Sequence, residues 1–176
     1  MTTTLKTVLY AEDDENDLFL MERAFERLKI ANPLRNVPDG KAAIAYLSGE
    51  TPYENRAENP FPSLVLMDLS LPGRHGLEVL KWIKSQPPLA SLPVVVLTSS
   101  NQERDVHRAY LLGASGYLIK PGDPNQLLRI VKSLQDYWLG EVTPQGPFIE
   151  FAPAGNVPRP KGEASATQPA IGSDPV

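Results

Sequence analysis

Reactive side chains stand where apolar runs of this sequence end. VLYAEDDEND (8–17) breaks directly into Glu12 and Asp13, SLVLMD (63–68) ends in Asp68, LPVVVLTS (92–99) ends in Thr98 and Ser99, and SGYLIKP (115–121) carries Lys120. Like charges as close as Glu12 and Asp13 repel and are costly to remove from water, so a positive partner is expected to meet them. Glu12, Asp13 and Asp68 together make an all-oxygen donor set suited to Mg²⁺, a hard cation that keeps several of its waters. A carboxylate beside such an ion can attack phosphorus, because the metal offsets charge on both reactants. Lys120 brings a compact positive charge for phosphoryl oxygens, and Thr98 brings a hydroxyl. The set suits phosphoryl capture on an aspartate.

These groups act together only if the chain brings them to one edge. The runs at 7–11, 63–68, 92–99 and 115–121 are apolar without alternation, as in strands buried on both faces of a parallel sheet. A weaker run, NPLRNVPDG (32–40), reads as a short strand closed by an Asp39-Gly40 turn. Helical spacing lies between the strands: Leu18, Met21, Phe25 and Leu28; then KAAIAYL; Val79, Trp82 and Ile83; Val106, Ala109 and Tyr110; and finally Leu127, Ile130, Val131, Leu134 and Trp138. Strand and helix alternate five times, the signature of a doubly wound α/β sheet. Such folds bind ligands outside the carboxyl ends of their strands, where the reactive residues fall.

The 176 residues suffice for one core. The expected division is a domain over 5–140 and a Pro/Gly-rich, largely flexible extension over 141–176, in which PFIEF (147–151) stands out as a stretch able to dock or to pair with a second chain. SGETPYENRAENPFP (48–62) reads as a long exposed loop. A net charge of -4 gives no basic field, so neither nucleic acid nor an acidic membrane is an expected partner. The absence of cysteine excludes thiolate chemistry and disulfides, and no long apolar segment marks a signal or membrane span, so a cytoplasmic location is expected.

AEDDEND, LVLMDLSLPGRHG, VVVLTSSN and GYLIKPGD, in this order and spacing, resemble the receiver domain of bacterial two-component response regulators over about residues 5–138. The resemblance implies a flavodoxin-like, five-stranded parallel sheet of order 2-1-3-4-5. It implies Asp68 as phosphoacceptor, Glu12, Asp13 and the Ser70 carbonyl as further ligands of Mg²⁺, Thr98 as switch hydroxyl, Tyr117 as switch aromatic and Lys120 as phosphate-binding lysine. It also implies a cis Lys120-Pro121 peptide. Position 12 is Glu where many members have Asp.

The implied mechanism is transfer from a phosphohistidine of a sensor histidine kinase to Asp68. Thr98 then moves toward the new oxygens, Tyr117 turns inward, and the surface of the fourth helix, fifth strand and fifth helix changes. No DNA-binding output element follows, so the expected readout is a downstream protein or phosphotransfer partner, or a homodimer through that surface or the extension. The long loop and the DYW ending resemble single-domain regulators of bacterial phytochrome kinases. Turnover of an external substrate is not expected. A haloacid-dehalogenase-type phosphatase needs a second Asp two residues after the nucleophile, where this chain has Ser70, and no GxxxxGK[ST] loop supports nucleotide binding. The alternative is a phosphorylation-independent binding module on the same fold.

Structural roles compete at several positions. Asp14, Glu15 and Asp17 fit a helix cap and first turn. Thr98 fits a strand as a β-branched residue, and Tyr117 fits one as a packing aromatic. Ser70 and Ser100 flank the expected path of the hydrolytic water. His75 and His107 read as surface residues and not as phosphodonors, while Trp82 and Trp138 read as packing residues. Tyr137 with Trp138 also suits a contact between subunits.

Overall fold

The computed structural model of the chain describes residues 5–140 and 157–160. Five strands, β1 (Thr7–Ala11), β2 (Leu34–Val37), β3 (Pro62–Met67), β4 (Val94–Thr98) and β5 (Gly116–Ile119), alternate with α1 (Glu15–Arg27), α2 (Gly40–Ser48), α3 (Gly76–Ser85), α4 (Glu103–Leu111) and α5 (Pro124–Leu134). All pairings are parallel and the sheet order is β2-β1-β3-β4-β5. The order reverses between β1 and β3, which places the crevice above those two strands.

The unbroken apolar runs follow from burial on both faces. Leu9, Ala11, Val65, Met67, Val94, Val96 and Tyr117 point to one side, against Ala43, Leu80, Ile83 and Ala109 of α2, α3 and α4. Val8, Tyr10, Leu64, Leu66, Val95, Leu97 and Leu118 point to the other, against Met21, Phe25, Ile130 and Leu134 of α1 and α5. The period of two assigns alternate residues to opposite layers, and each fully buried Leu or Val contributes about 1.5–3 kcal/mol.

Local chemistry starts and stops the helices. Asp14 caps α1, its Oδ1 accepting from the N–H of Asn16 at 2.8 Å and of Asp17 at 3.0 Å. Asp39 caps α2 and Asp123 caps α5 just ahead of Pro124. His75, read from sequence as a plain surface residue, closes a capping box on α3: its Nδ1 accepts from Leu77 N–H and its own N–H donates to Glu78 Oε2. The last stripe departs from ideal helical spacing, because Gln135–Leu139 form a π-helical turn. That wider turn buries Tyr137 in the α1–α5 layer, with its ring edge-on to Trp138 at 4.6 Å.

The 48–62 loop is exposed along much of its length yet tied to α2. Arg56 donates to the carbonyls of Tyr46 at 2.7 Å and Leu47 at 3.1 Å, in the last turn of α2. Gly49 closes that helix in the left-handed region, φ 72°, which favours glycine. The PFIEF stretch lies outside the described residues. No helix among the described residues is long and apolar enough to cross a membrane.

Candidate functional site

Strand ends and the loops that follow them bring the reactive residues to one edge. Glu12 follows β1, Asp68 follows β3, Thr98 ends β4 and Lys120 follows β5. Glu12, Asp68 and Thr98 are buried, whereas Asp13 is exposed. The site is pinned by backbone: Glu12 N–H donates to Val37 O, Asp68 N–H to Ala11 O, and Lys120 N–H to Thr98 O.

Lys120 is the hub. Its Nζ lies 2.8 Å from Asp68 Oδ2, 2.5 Å from Glu12 Oε2 and 2.7 Å from Asp17 Oδ2. The Lys120-Pro121 bond is trans, a correction to the expected cis isomer; among the described residues the cis bond is Thr51-Pro52. The ammonium is in contact with all three carboxylates.

Lys120, Asp68 and Glu12 are each electrostatically displaced. Burial by itself would lower the Lys120 pKa, but hydrogen bonds to Asp17, Asp68 and Glu12 outweigh it and hold the ammonium above its ordinary value. Burial would raise Asp68, yet Lys120, the N–H of Ser70 and a hydrogen bond with Thr98 hold its carboxyl below the usual range. At Glu12 burial wins, so this carboxyl is raised despite Lys120 and the Asp14 N–H. Asp68 is thus the ionised, presented carboxylate. Glu12 is the strained one.

Two contributors escaped the sequence reading. Tyr10 donates its hydroxyl to Glu12 Oε2 at 3.1 Å from inside the sheet, and burial followed by the Glu12 charge raises its phenol. Strand alternation was the available signal, since Tyr10 and Glu12 are two residues apart and share a face. Asp17, assigned to the first turn of α1, is in that turn and also holds Lys120. Gly76 at the start of α3 packs on the Asp68 backbone so tightly that a Cβ there would sit 2.3 Å from the Asp68 carbonyl oxygen.

Glu12, Asp13 and Asp68 each offer a carboxylate oxygen, all within 4.8 Å of one another. An all-oxygen set of this spacing fits a hard divalent cation, and the raised Glu12 carboxyl shows the charge such an ion would offset. Ser70 is joined to the site through its N–H, which donates to Asp68 Oδ1 at 3.1 Å. Tyr117 is fully buried, its hydroxyl donating to the Ser100 carbonyl at 2.9 Å, so the inward ring position is filled in this structure. Ser100 Oγ hydrogen-bonds Asp105 of α4.

Comparison with known proteins identifies the family of the chain. Residues 8–132 match the family model described as the response regulator receiver domain. Response regulator Rcp1 from Synechocystis sp. is 39% identical over 138 residues, covering 78% of this chain and 92% of that protein. The crystal structure of the phosphorylated cyanobacterial phytochrome response regulator RcpA superposes with a TM-score of 0.73 at 36% identity, covering 81% of this chain and 100% of that one. The Mn²⁺-bound form of Rcp1 does so with a TM-score of 0.71 at 38% identity, covering 80% and 99%. The family match runs from within β1 into α5, and the chain belongs to the response regulator receiver domain family.

Proposed function

We propose that this chain is a phosphorylation switch in two-component signalling, in which Asp68 takes a phosphoryl group from a phosphohistidine of a sensor kinase. The observation that carries the reading is the Lys120 Nζ held 2.8 Å from Asp68 Oδ2, beside two further carboxylates. One Asp68 oxygen attacks phosphorus, the P–N bond to histidine breaks, and the new acyl phosphate places its oxygens near Lys120 and Thr98. Glu12, Asp13, Asp68 and the Ser70 carbonyl would hold Mg²⁺, which would supply charge neutralisation for both reactants. Asp68 is well prepared as the nucleophile, since its carboxyl is held ionised by Lys120 and Ser70.

Thr98 then follows the phosphoryl oxygens while Tyr117 holds its buried position, and the surface of α4, β5 and α5 presents the state to a downstream protein, a phosphotransfer protein or a second copy of the chain. The descriptions of RcpA as a phytochrome response regulator and of a bacteriophytochrome response regulator among the similar structures support a phytochrome-type histidine kinase as donor. A cytoplasmic location follows from that partner.

Intact-mass measurement with acetyl phosphate and Mg²⁺ tests the site. Wild type gains one phosphoryl group and Asp68→Asn gains none; equal labelling of both, or of neither, overturns the assignment. Light scattering with and without beryllofluoride reads whether the modified state dimerises.

A further inference from the structure

The described part of the C-terminal extension, Val157–Pro160, sits against the outer edge of β5, the last strand of the sheet. An edge strand leaves backbone groups without ladder partners on its free side. Here the Val157 N–H donates to the Tyr117 carbonyl at 2.8 Å. The Tyr110 hydroxyl of α4 donates to the Val157 carbonyl at 2.5 Å. Both backbone groups of Val157 are thereby engaged, the N–H by β5 and the carbonyl by the Tyr110 hydroxyl, which bridges the segment to α4. Val157 packs on the layer that contains Tyr110 and Tyr117, and the Arg159 guanidinium lies 5.6 Å from the Tyr110 ring centroid.

The sequence of the segment suits this role. Pro158 and Pro160 fix φ on either side of Arg159, so little chain entropy is lost on docking. Pro158 also lacks the N–H that a longer added strand would need, which limits the contact to a single bridge.

We propose that Val157–Pro160 is an intramolecular clasp on the β5 edge, closing over Tyr110 and holding Tyr117 in its buried position. The signalling consequence rests on the reading of Tyr117 as the switch aromatic: clasp closure and Asp68 modification favour the same ring position and therefore reinforce one another. The occupant of this edge is the chain's own segment, because the bridge, the packed Val157 side chain and the Arg159–Tyr110 contact all come from it.

Amide exchange by NMR on the full chain, without phosphorylation, tests the clasp. The Val157 N–H exchanges at least about fivefold more slowly than in a free chain, the factor that one net hydrogen bond provides. That protection is independent of protein concentration. Tyr110→Phe, which keeps the ring and removes the bridge, abolishes most of it. Val157→Pro removes the donor and shifts the Tyr117 ring resonances toward those of an exposed tyrosine. A free-chain exchange rate at Val157 overturns the clasp. Protection that grows with concentration overturns the intramolecular form, since the segment then sits on a second copy. Unchanged Tyr117 resonances in Val157→Pro overturn the coupling to the ring. None of these readouts depends on Asp68 chemistry, so failure of the phosphoacceptor assignment appears separately in the intact-mass experiment.

Discussion

Asp17 Oδ2 accepts a hydrogen bond from Lys120 Nζ at 2.7 Å, joining the first turn of α1 to the loop after β5. The same ammonium serves Asp68, so under the proposed function Asp17 draws on the cation that an incoming phosphoryl group would meet.

Asp17→Asn is therefore expected to label faster with acetyl phosphate, by a fewfold, because Lys120 is no longer shared with a third full negative charge. Its effect on folding is small, less than about 1 kcal/mol, since Asp17 is partly exposed and solvent screens the pair. Time courses by intact mass, set beside urea unfolding, check both; slower labelling would show that Asp17 aims the lysine rather than competing for it.

Glu12→Gln addresses the strained carboxylate. A raised folded pKa means that this group's stabilising contribution is present below its ordinary value of 4.5 and is lost as pH rises through the folded value. In metal-free buffer at pH 7 the variant is expected to be more stable than wild type, because it no longer holds a buried carboxylate ionised against its raised pKa. The advantage disappears on acidification through the carboxylate range. Asp68→Asn behaves oppositely in sign: the Asp68 contribution is present above its ordinary value of 3.8 and is lost as pH falls through the lowered folded value. Urea titrations across this pH range separate the two. Millimolar Mg²⁺ raises the wild-type melting temperature and raises that of Glu12→Gln less.

At Gly76 an added Cβ meets the Asp68 carbonyl oxygen at 2.3 Å and the Leu69 Cα at 2.8 Å, both backbone atoms that cannot swing aside. Gly76→Ala is expected to lose about 1–3 kcal/mol of stability through overpacking. It also slows Asp68 labelling, because the strain falls on the backbone that presents the carboxylate. Calorimetry and acetyl phosphate kinetics on one preparation check the pairing of these effects.

Arg56→Ala tests whether the long loop is a structural tie. The guanidinium satisfies two carbonyls at the end of α2 and lies 5.9 Å from the ring centroids of Tyr46 and Phe61. Its removal is expected to cost about 1–2 kcal/mol and to speed amide exchange across residues 49–61, with Asp68 labelling unaltered. Altered labelling would connect the loop to the site.

Much of the fold was legible in the sequence. Continuous apolar runs such as VLYA and VVVLT admit only strands covered on both faces, and the helical stripe Met21–Phe25 admits only a helix laid against them. The reactive residues were legible for a related reason: a charged or hydroxyl side chain ending an apolar strand has few structural explanations. The clasp was not legible. A single backbone bridge from Val157 to Tyr117 carries no periodic signal, and the surrounding proline-rich stretch resembles many that pack on nothing.

By itself the sequence determined which residues could do chemistry and that a parallel sheet would carry them to one edge, because both are encoded in local residue type and period. Only the tertiary structure decided how charge is shared there. The partnership of Lys120 with Asp17 as well as Asp68, the support of Glu12 by Tyr10, and the trans Lys120-Pro121 bond all depend on where separate strands and loops meet. Those distances follow from packing, which fixes positions to within a hydrogen bond's reach and which no single segment specifies.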